Sequence, residues 1–127
     1  MAVRTTLGEN LETKSVLDGK KAVLRSAYKE PREEMQPGEI LASALGACML
    51  TMVGFIASKR GENVTGTELA VEPAFDEGHT RVVRMDLTFS FPASLTAEQK
   101  EFYAKAAQSC PVHNSLREDI TYTTHIK

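Results

Sequence analysis

Tryptophan is absent, cysteine occurs only twice, and five prolines are spread over 127 residues. Two cysteines cannot build the disulfide framework on which small secreted domains depend. A chain of this length buries about two thirds of its unfolded surface and needs no such staples. Positive charge is not concentrated either: 15 lysines and arginines against 17 aspartates and glutamates give a net charge of −2, and the doublets Lys20-Lys21 and Lys59-Arg60 stand alone. No basic stripe can neutralise a run of phosphates, so nucleic acid is not an expected partner. The first ten residues lack the apolar core of a signal peptide, and the longest mainly apolar stretch, 40–57, contains Ser43 and Thr51. That stretch falls short of the ~20 strongly hydrophobic residues of a membrane span, so the expectation is a soluble, cytoplasmic protein without a membrane partner. There is no phosphate-binding glycine loop and no internal repeat. His79, His113 and His125 have no partner at i,i+4, so no metal site is expected.

What is present fits one globular domain, residues 1–127, with 42 % apolar and 25 % charged residues. Val16-Leu17 and Ala22-Val23-Leu24 read as two short strands around an Asp18-Gly19 turn. The loop Glu30 to Pro37 then leads into a helix from Gly38 to Lys59, closed by Lys59-Arg60-Gly61. Ile40, Leu41, Ala44, Leu45, Ala47, Cys48, Met49, Met52, Phe55 and Ile56 cover nearly its whole circumference, which predicts burial on most sides. Small residues at 42, 43, 44, 46 and 47 admit a second backbone, and we read them as a subunit contact. Residues 64–75 and 80–91 form a hairpin around Asp76-Glu77-Gly78, with Val83, Met85, Leu87, Phe89 and Phe91 on the dry face. Thr96 and Gln99 can form a capping box for a helix over Ala97–Gln108; a short helix over Val112–Leu116 and a strand over Ile120–Ile126 complete an α+β order.

The two cysteines occupy different settings. Cys48 is mid-helix, where burial penalises a thiolate; Cys110 directly precedes Pro111, where a helix begins and free backbone N–H groups favour one. Two buried small apolar residues are one reading of the pair. The other is peroxide chemistry, in which one thiolate becomes a sulfenic acid and the second condenses with it.

The segment from Pro37-Gly38-Glu39-Ile40-Leu41 to Gly46-Ala47-Cys48, followed by Cys110-Pro111-Val112-His113-Asn114-Ser115-Leu116, resembles the two signature regions of the OsmC/Ohr family of hydroperoxide-reducing proteins. The similarity runs from about residue 14 to the end. It implies an OsmC-like fold, an intertwined homodimer whose long central helices pack together inside wrapping antiparallel sheets, with active sites at the subunit interface. It implies an antioxidant peroxidase in which Cys48 attacks an organic hydroperoxide and Cys110 closes the disulfide. A dithiol or lipoylated-protein reductant would reset the pair, and no bound cofactor is implied. A weakly enzymatic or non-enzymatic dimer that binds a small hydrophobic ligand or reports redox state is the alternative.

Family members with strong activity use an arginine from the N-terminal strands, held by a glutamate directly after the helix-start proline. Gly38 stands at that position here, and the acid is Glu39, about 100° further round the helix. Glu39 is therefore either the arginine's holder or an ordinary first-turn acid favoured by the helix dipole. For the arginine itself we select Arg25, with Arg4 behind it. His113, three residues beyond Cys110, either helps to polarise that thiol or is a capping or surface histidine. Met49, Met52 and Phe55 are expected to line an apolar region near Cys48.

Overall fold

A computed structural model describes every residue from Met1 to Lys127. The chain runs through β1 (Val3–Leu7), β2 (Glu12–Leu17), β3 (Val23–Ala27), α1 (Pro37–Arg60), β4 (Glu68–Phe75), β5 (Val82–Ser90), α2 (Ala97–Ala106), α3 (Pro111–Ser115) and β6 (Thr121–Ile126). It divides into two compact units, Met1–Leu41 and Ala42–Lys127. Each unit has its own three-stranded sheet, ordered β1-β2-β3 in the first and β4-β5-β6 in the second. This is the α+β architecture that the sequence pattern predicts.

The first sheet is an antiparallel meander. Its β2–β3 turn lies where Asp18-Gly19 places it: Gly19 has φ 77°, and the Lys20 N–H donates to the Leu17 carbonyl at 3.0 Å. Strand β1 is an addition to the sequence reading, and its invisibility has a physical cause. All five of its residues are exposed, so no apolar alternation marks it. The β1–β2 turn is built on Asn10 and Leu11, at φ 56° and 59°, a primed-turn geometry without the glycine that usually signals it. Polar pairs hold this hairpin instead: Thr5 to Ser15 at 2.8 Å, and Arg4 to Asp18 at 2.7 Å. After β3 the loop returns to the sheet, where the Ala27 N–H donates to the Met35 carbonyl at 3.1 Å.

Helix α1 has 24 residues, about 36 Å at 1.5 Å per residue. One 18-residue window of it has a mean hydropathy of 2.1. Length and composition would therefore permit a membrane crossing, and the argument from shortness does not hold. The expected burial on most sides is not met within one chain. Ala42, Leu45, Met49, Val53 and Ala57, spaced three or four residues apart, form the single buried stripe. Ala44, Ala47, Thr51 and Phe55, across the helix, are exposed. The helix stops as expected at Gly61, whose φ of 67° lets the Glu62 N–H reach the Ala57 carbonyl at 3.0 Å.

Glu62 also ties this helix end to α2, accepting hydrogen bonds from the Tyr103 hydroxyl and the Gln99 amide and pairing with Arg60 at 2.8 Å. The Thr96–Gln99 capping box begins α2 as predicted. In β5, Met85, Leu87 and Phe89 are fully buried. Opposite Ala74 and Phe75 the register steps from Arg84 to Val82, so Val83 is an extra, bulged residue of β5 and Val82 takes the inward position the alternation assigned to Val83. Strand β6 lies parallel to β5, with Tyr122 beside Met85 and Thr124 beside Leu87.

Leu45→Ala should cost about 2–5 kcal/mol in urea denaturation, because the fully buried stripe cannot collapse around the lost methyls. Glu101→Ala, on the exposed side of α2, should stay within about 0.5 kcal/mol of the parent.

Candidate functional site

The two thiols belong to the second unit and meet there. Cys48 sits on α1 at the border between the buried stripe and the exposed face and is half-buried; Cys110 is 0 % exposed. Both are free thiols, within hydrogen-bonding reach of one another. Cys110 is brought there by the break in the chain after α2. A 3-10 turn over Ala107–Ser109 ends in extended backbone at Cys110, and Pro111 opens α3. Cys110 is itself the N-cap of α3, its Sγ accepting the His113 N–H at 3.4 Å.

The electrostatics of Cys110 pull in opposite directions. Burial pushes its thiol above the ordinary cysteine value, the largest effect, and the neighbouring Cys48 thiol adds to it. The amides of His113 and Val112 oppose this by hydrogen-bonding the sulfur. The balance keeps Cys110 protonated where an ordinary cysteine would begin to ionise. Beside it, the rings of His113 and Tyr122 lie 4.7 Å apart, and the Tyr122 hydroxyl is held above its ordinary pKa by burial and by the Cys110 charge. His113 and Tyr122 border a cavity of about 400 Å³ with Leu116 and Ile120 among its apolar walls and Arg117 and Glu118 at its polar side.

The apolar surroundings expected for Cys48 are only partly realised. Met49 faces the core and is fully buried; Met52 is half-buried; Phe55 is 57 % exposed, with the Lys59 ammonium 4.5 Å from its ring centre.

In the first unit, Glu39 has a guanidinium partner, and it is Arg32. Nη1 of Arg32 donates to Glu39 Oε1 at 2.8 Å and Nη2 to Oε2 at 3.4 Å. Arg32 also pairs with Glu30 at 2.8 Å and donates to the Glu34 carbonyl at 2.7 Å, so a side chain only 17 % exposed is fixed on several sides. Glu39 meanwhile reaches back to the Gln36 N–H at 2.8 Å, the return bond of a capping box. The two readings of Glu39 thus coexist in one carboxylate. Arg25 is not brought to it: Arg25 is exposed on β3 opposite Lys14, and Arg4 is engaged with Asp18. Sequence reasoning passed over Arg32 because its loop is irregular, although an arginine placed between Glu30 and the helix-start proline was a usable signal. Tyr122 was read only as part of the last strand.

The family model described as OsmC-like protein matches residues 30–125. A solved protein of Psychrobacter arcticus, described as an osmotic stress induced and detoxification response protein, has a TM-score of 0.92 at 22 % identity, covering 100 % of this chain and 96 % of its own. The OsmC like protein of Mycoplasma pneumoniae has a TM-score of 0.83 at 17 % identity, covering 99 % and 94 %. The organic hydroperoxide resistance protein of Bacillus subtilis has 0.73 at 16 %, covering 99 % and 96 %. At such identities the likeness establishes the fold. No curated protein matches the chain in sequence.

Two measurements check the geometry. In the reduced protein, iodoacetamide should alkylate half-buried Cys48 well before buried, pKa-raised Cys110, as read by peptide mass mapping. The Glu39 carboxyl should titrate below its ordinary 4.5 by carbon NMR, held down first by the Gln36 amide and then by Arg32. Arg32→Ala should return its pKa part of the way. Because the folded pKa is depressed, the stabilisation from this carboxylate is present above the unfolded value and is lost as pH falls through the folded one.

Proposed function

The chain belongs to the OsmC-like protein family, and from that premise we propose that it is a thiol peroxidase for organic hydroperoxides, a single OsmC-like domain working as a cytoplasmic homodimer. The observation that carries this reading is the Cys48–Cys110 pair, two free thiols in reach of one another with only the first accessible. Neighbours of the same fold from Legionella pneumophila, Elizabethkingia anophelis and Bacillus subtilis are named organic hydroperoxide resistance proteins, which supports the substrate class.

The Cys48 thiolate attacks the distal peroxide oxygen; the O–O bond breaks, the alcohol departs with a proton, and Cys48 becomes a sulfenic acid. The Cys110 sulfur then displaces the hydroxyl, forming the disulfide and releasing water. An external dithiol or lipoylated protein attacks the accessible Cys48 sulfur, frees Cys110, and completes the reduction through its own second thiol. Positive charge at the sulfur would lower the barrier of the first step. Within the first unit, Arg32 is the guanidinium pre-oriented by Glu39, the partnership the sequence reading gave to Arg25. No cofactor enters any step.

The homodimer is supported by α1. Its exposed face of Ala44, Ala47, Thr51 and Phe55 is too apolar for water and small enough for a second helix to pack closely. One observation favours the slower alternative, a redox-responsive or ligand-binding dimer: Arg32 pairs with Glu30 as well as Glu39, so its charge is more than neutralised locally.

Cys48→Ser should abolish consumption of cumene hydroperoxide, and Cys110→Ser should accumulate a dimedone-reactive sulfenic acid at Cys48 after a single turnover. Wild type showing neither fast thiol loss nor an intramolecular disulfide by mass analysis would reject the peroxidase in favour of the alternative. Ala47→Lys should shift the protein from dimer to monomer in sedimentation.

A further inference from the structure

The resolving step leaves a chemical problem: a fully buried thiol must lose a proton before its sulfur attacks, and regain it whenever the disulfide is cleaved. Cys110 has no carboxylate or lysine among its hydrogen-bond partners; its sulfur accepts from the His113 backbone and stands beside the Cys48 thiol. The imidazole that can exchange a proton stands on the same short helix: His113, whose backbone N–H reaches the sulfur and whose ring lies against Tyr122, the residue that feels the Cys110 charge. That ring is half-buried, with Nδ1 fully enclosed and unpartnered, so it extends from the interior toward the accessible side. Tyr122 holds it at 4.7 Å from the sheet, and the Tyr122 hydroxyl is the second enclosed polar atom without a partner. Two enclosed polar atoms without a partner, on rings in contact, are costly to leave so, and their residues also border the cavity of about 400 Å³.

Resting on the peroxidase reading, we propose that the His113 imidazole, seated against Tyr122 at the cavity wall, is the acid–base group of the resolving thiol Cys110. His113 takes the Cys110 proton past the Tyr122 hydroxyl, which feels the charge on that sulfur. The thiolate forms the S–S bond as the S–O bond of the Cys48 sulfenic acid breaks, and the departing hydroxide collects that proton to leave as water. On cleavage the order reverses. An external dithiol attacks Cys48, since Cys110 is enclosed, and the Cys110 thiolate leaves and is protonated from His113.

The groups facing His113 are few. Tyr122 comes from β6 and Cys110 from the start of its own helix, with Cys48 of α1 behind that thiol. Arg117 and Glu118 come from the following loop, and Arg117 is paired with Asp119 at 3.0 Å. Tyr122 is a positioning residue: it sets the ring's orientation and supplies the hydroxyl at the inner end of the path.

The test uses stopped-flow kinetics on the full chain and on His113→Gln and His113→Ala, with folding checked by circular dichroism. Disulfide closure after a cumene hydroperoxide pulse and dithiothreitol cleavage of a diamide-formed disulfide are both followed. Each rate should fall about 100-fold in both variants, and added imidazole should restore His113→Ala toward wild type, because the vacated space adjoins the cavity. Closure and cleavage at wild-type rates, or slow rates that ignore imidazole, overturn the proposal. Failure of the peroxidase reading looks different: the wild type then forms no Cys48 sulfenic acid with the hydroperoxide. A cleavage step still dependent on His113 and rescued by imidazole would uphold the acid–base assignment even so.

Discussion

Helix α1 is apolar around most of its circumference, yet a single chain covers only the stripe from Ala42 to Ala57. That imbalance governs the second unit. The stripe is buried in that unit, as are Met85, Leu87 and Phe89 of β5, and Glu62 fixes the helix end to α2 through Tyr103 and Gln99. Cys48 lies where the covered and uncovered faces meet, which leaves it half-accessible while Cys110 is enclosed. A helix buried all round would have hidden both sulfurs, and one with a polar outer face would have left nothing for a second subunit to cover.

Economy of the same kind marks the start of α1. The Glu39 carboxylate caps the helix through the Gln36 amide and, with its remaining capacity, holds Arg32. A glutamate one position earlier would sit about 100° away around the axis and could not make both bonds in the same way. Glycine at 38 therefore does not remove the carboxylate–guanidinium pair; the pair is formed from Glu39.

Much of the fold was legible because its signals are local. The Asp18-Gly19 turn, the Gly61 stop, the Thr96–Gln99 box and the Cys110-Pro111 break each act through neighbouring backbone groups, and each lies where the sequence puts it. Strand β1 escaped because exposed polar residues show no alternation, and the Val82 for Val83 exchange escaped because a bulged residue in β5 resets the parity of that strand. Of the candidate site, the meeting of Cys48 and Cys110, whose flanking residues are distinctive, was legible, as was a guanidinium partner for Glu39. Arg32 and Tyr122 were not, since one pairs with Glu39 from an irregular loop and the other is placed by a strand pairing more than thirty residues away in sequence. Periodicity reports which face a residue occupies; it does not report which distant side chain will share that face.

Cys110 caps the helix that it begins, and this has a thermodynamic consequence. The His113 amide that satisfies the start of α3 is the same amide that favours the Cys110 thiolate. Helix stability and sulfur acidity are therefore two readings of one free energy, and linkage makes them reciprocal. Whatever frays those five residues makes the sulfur more basic, and whatever charges the sulfur tightens the helix. The short segment is in that sense a transducer, in which a change of backbone order and a change of thiol reactivity are the same event.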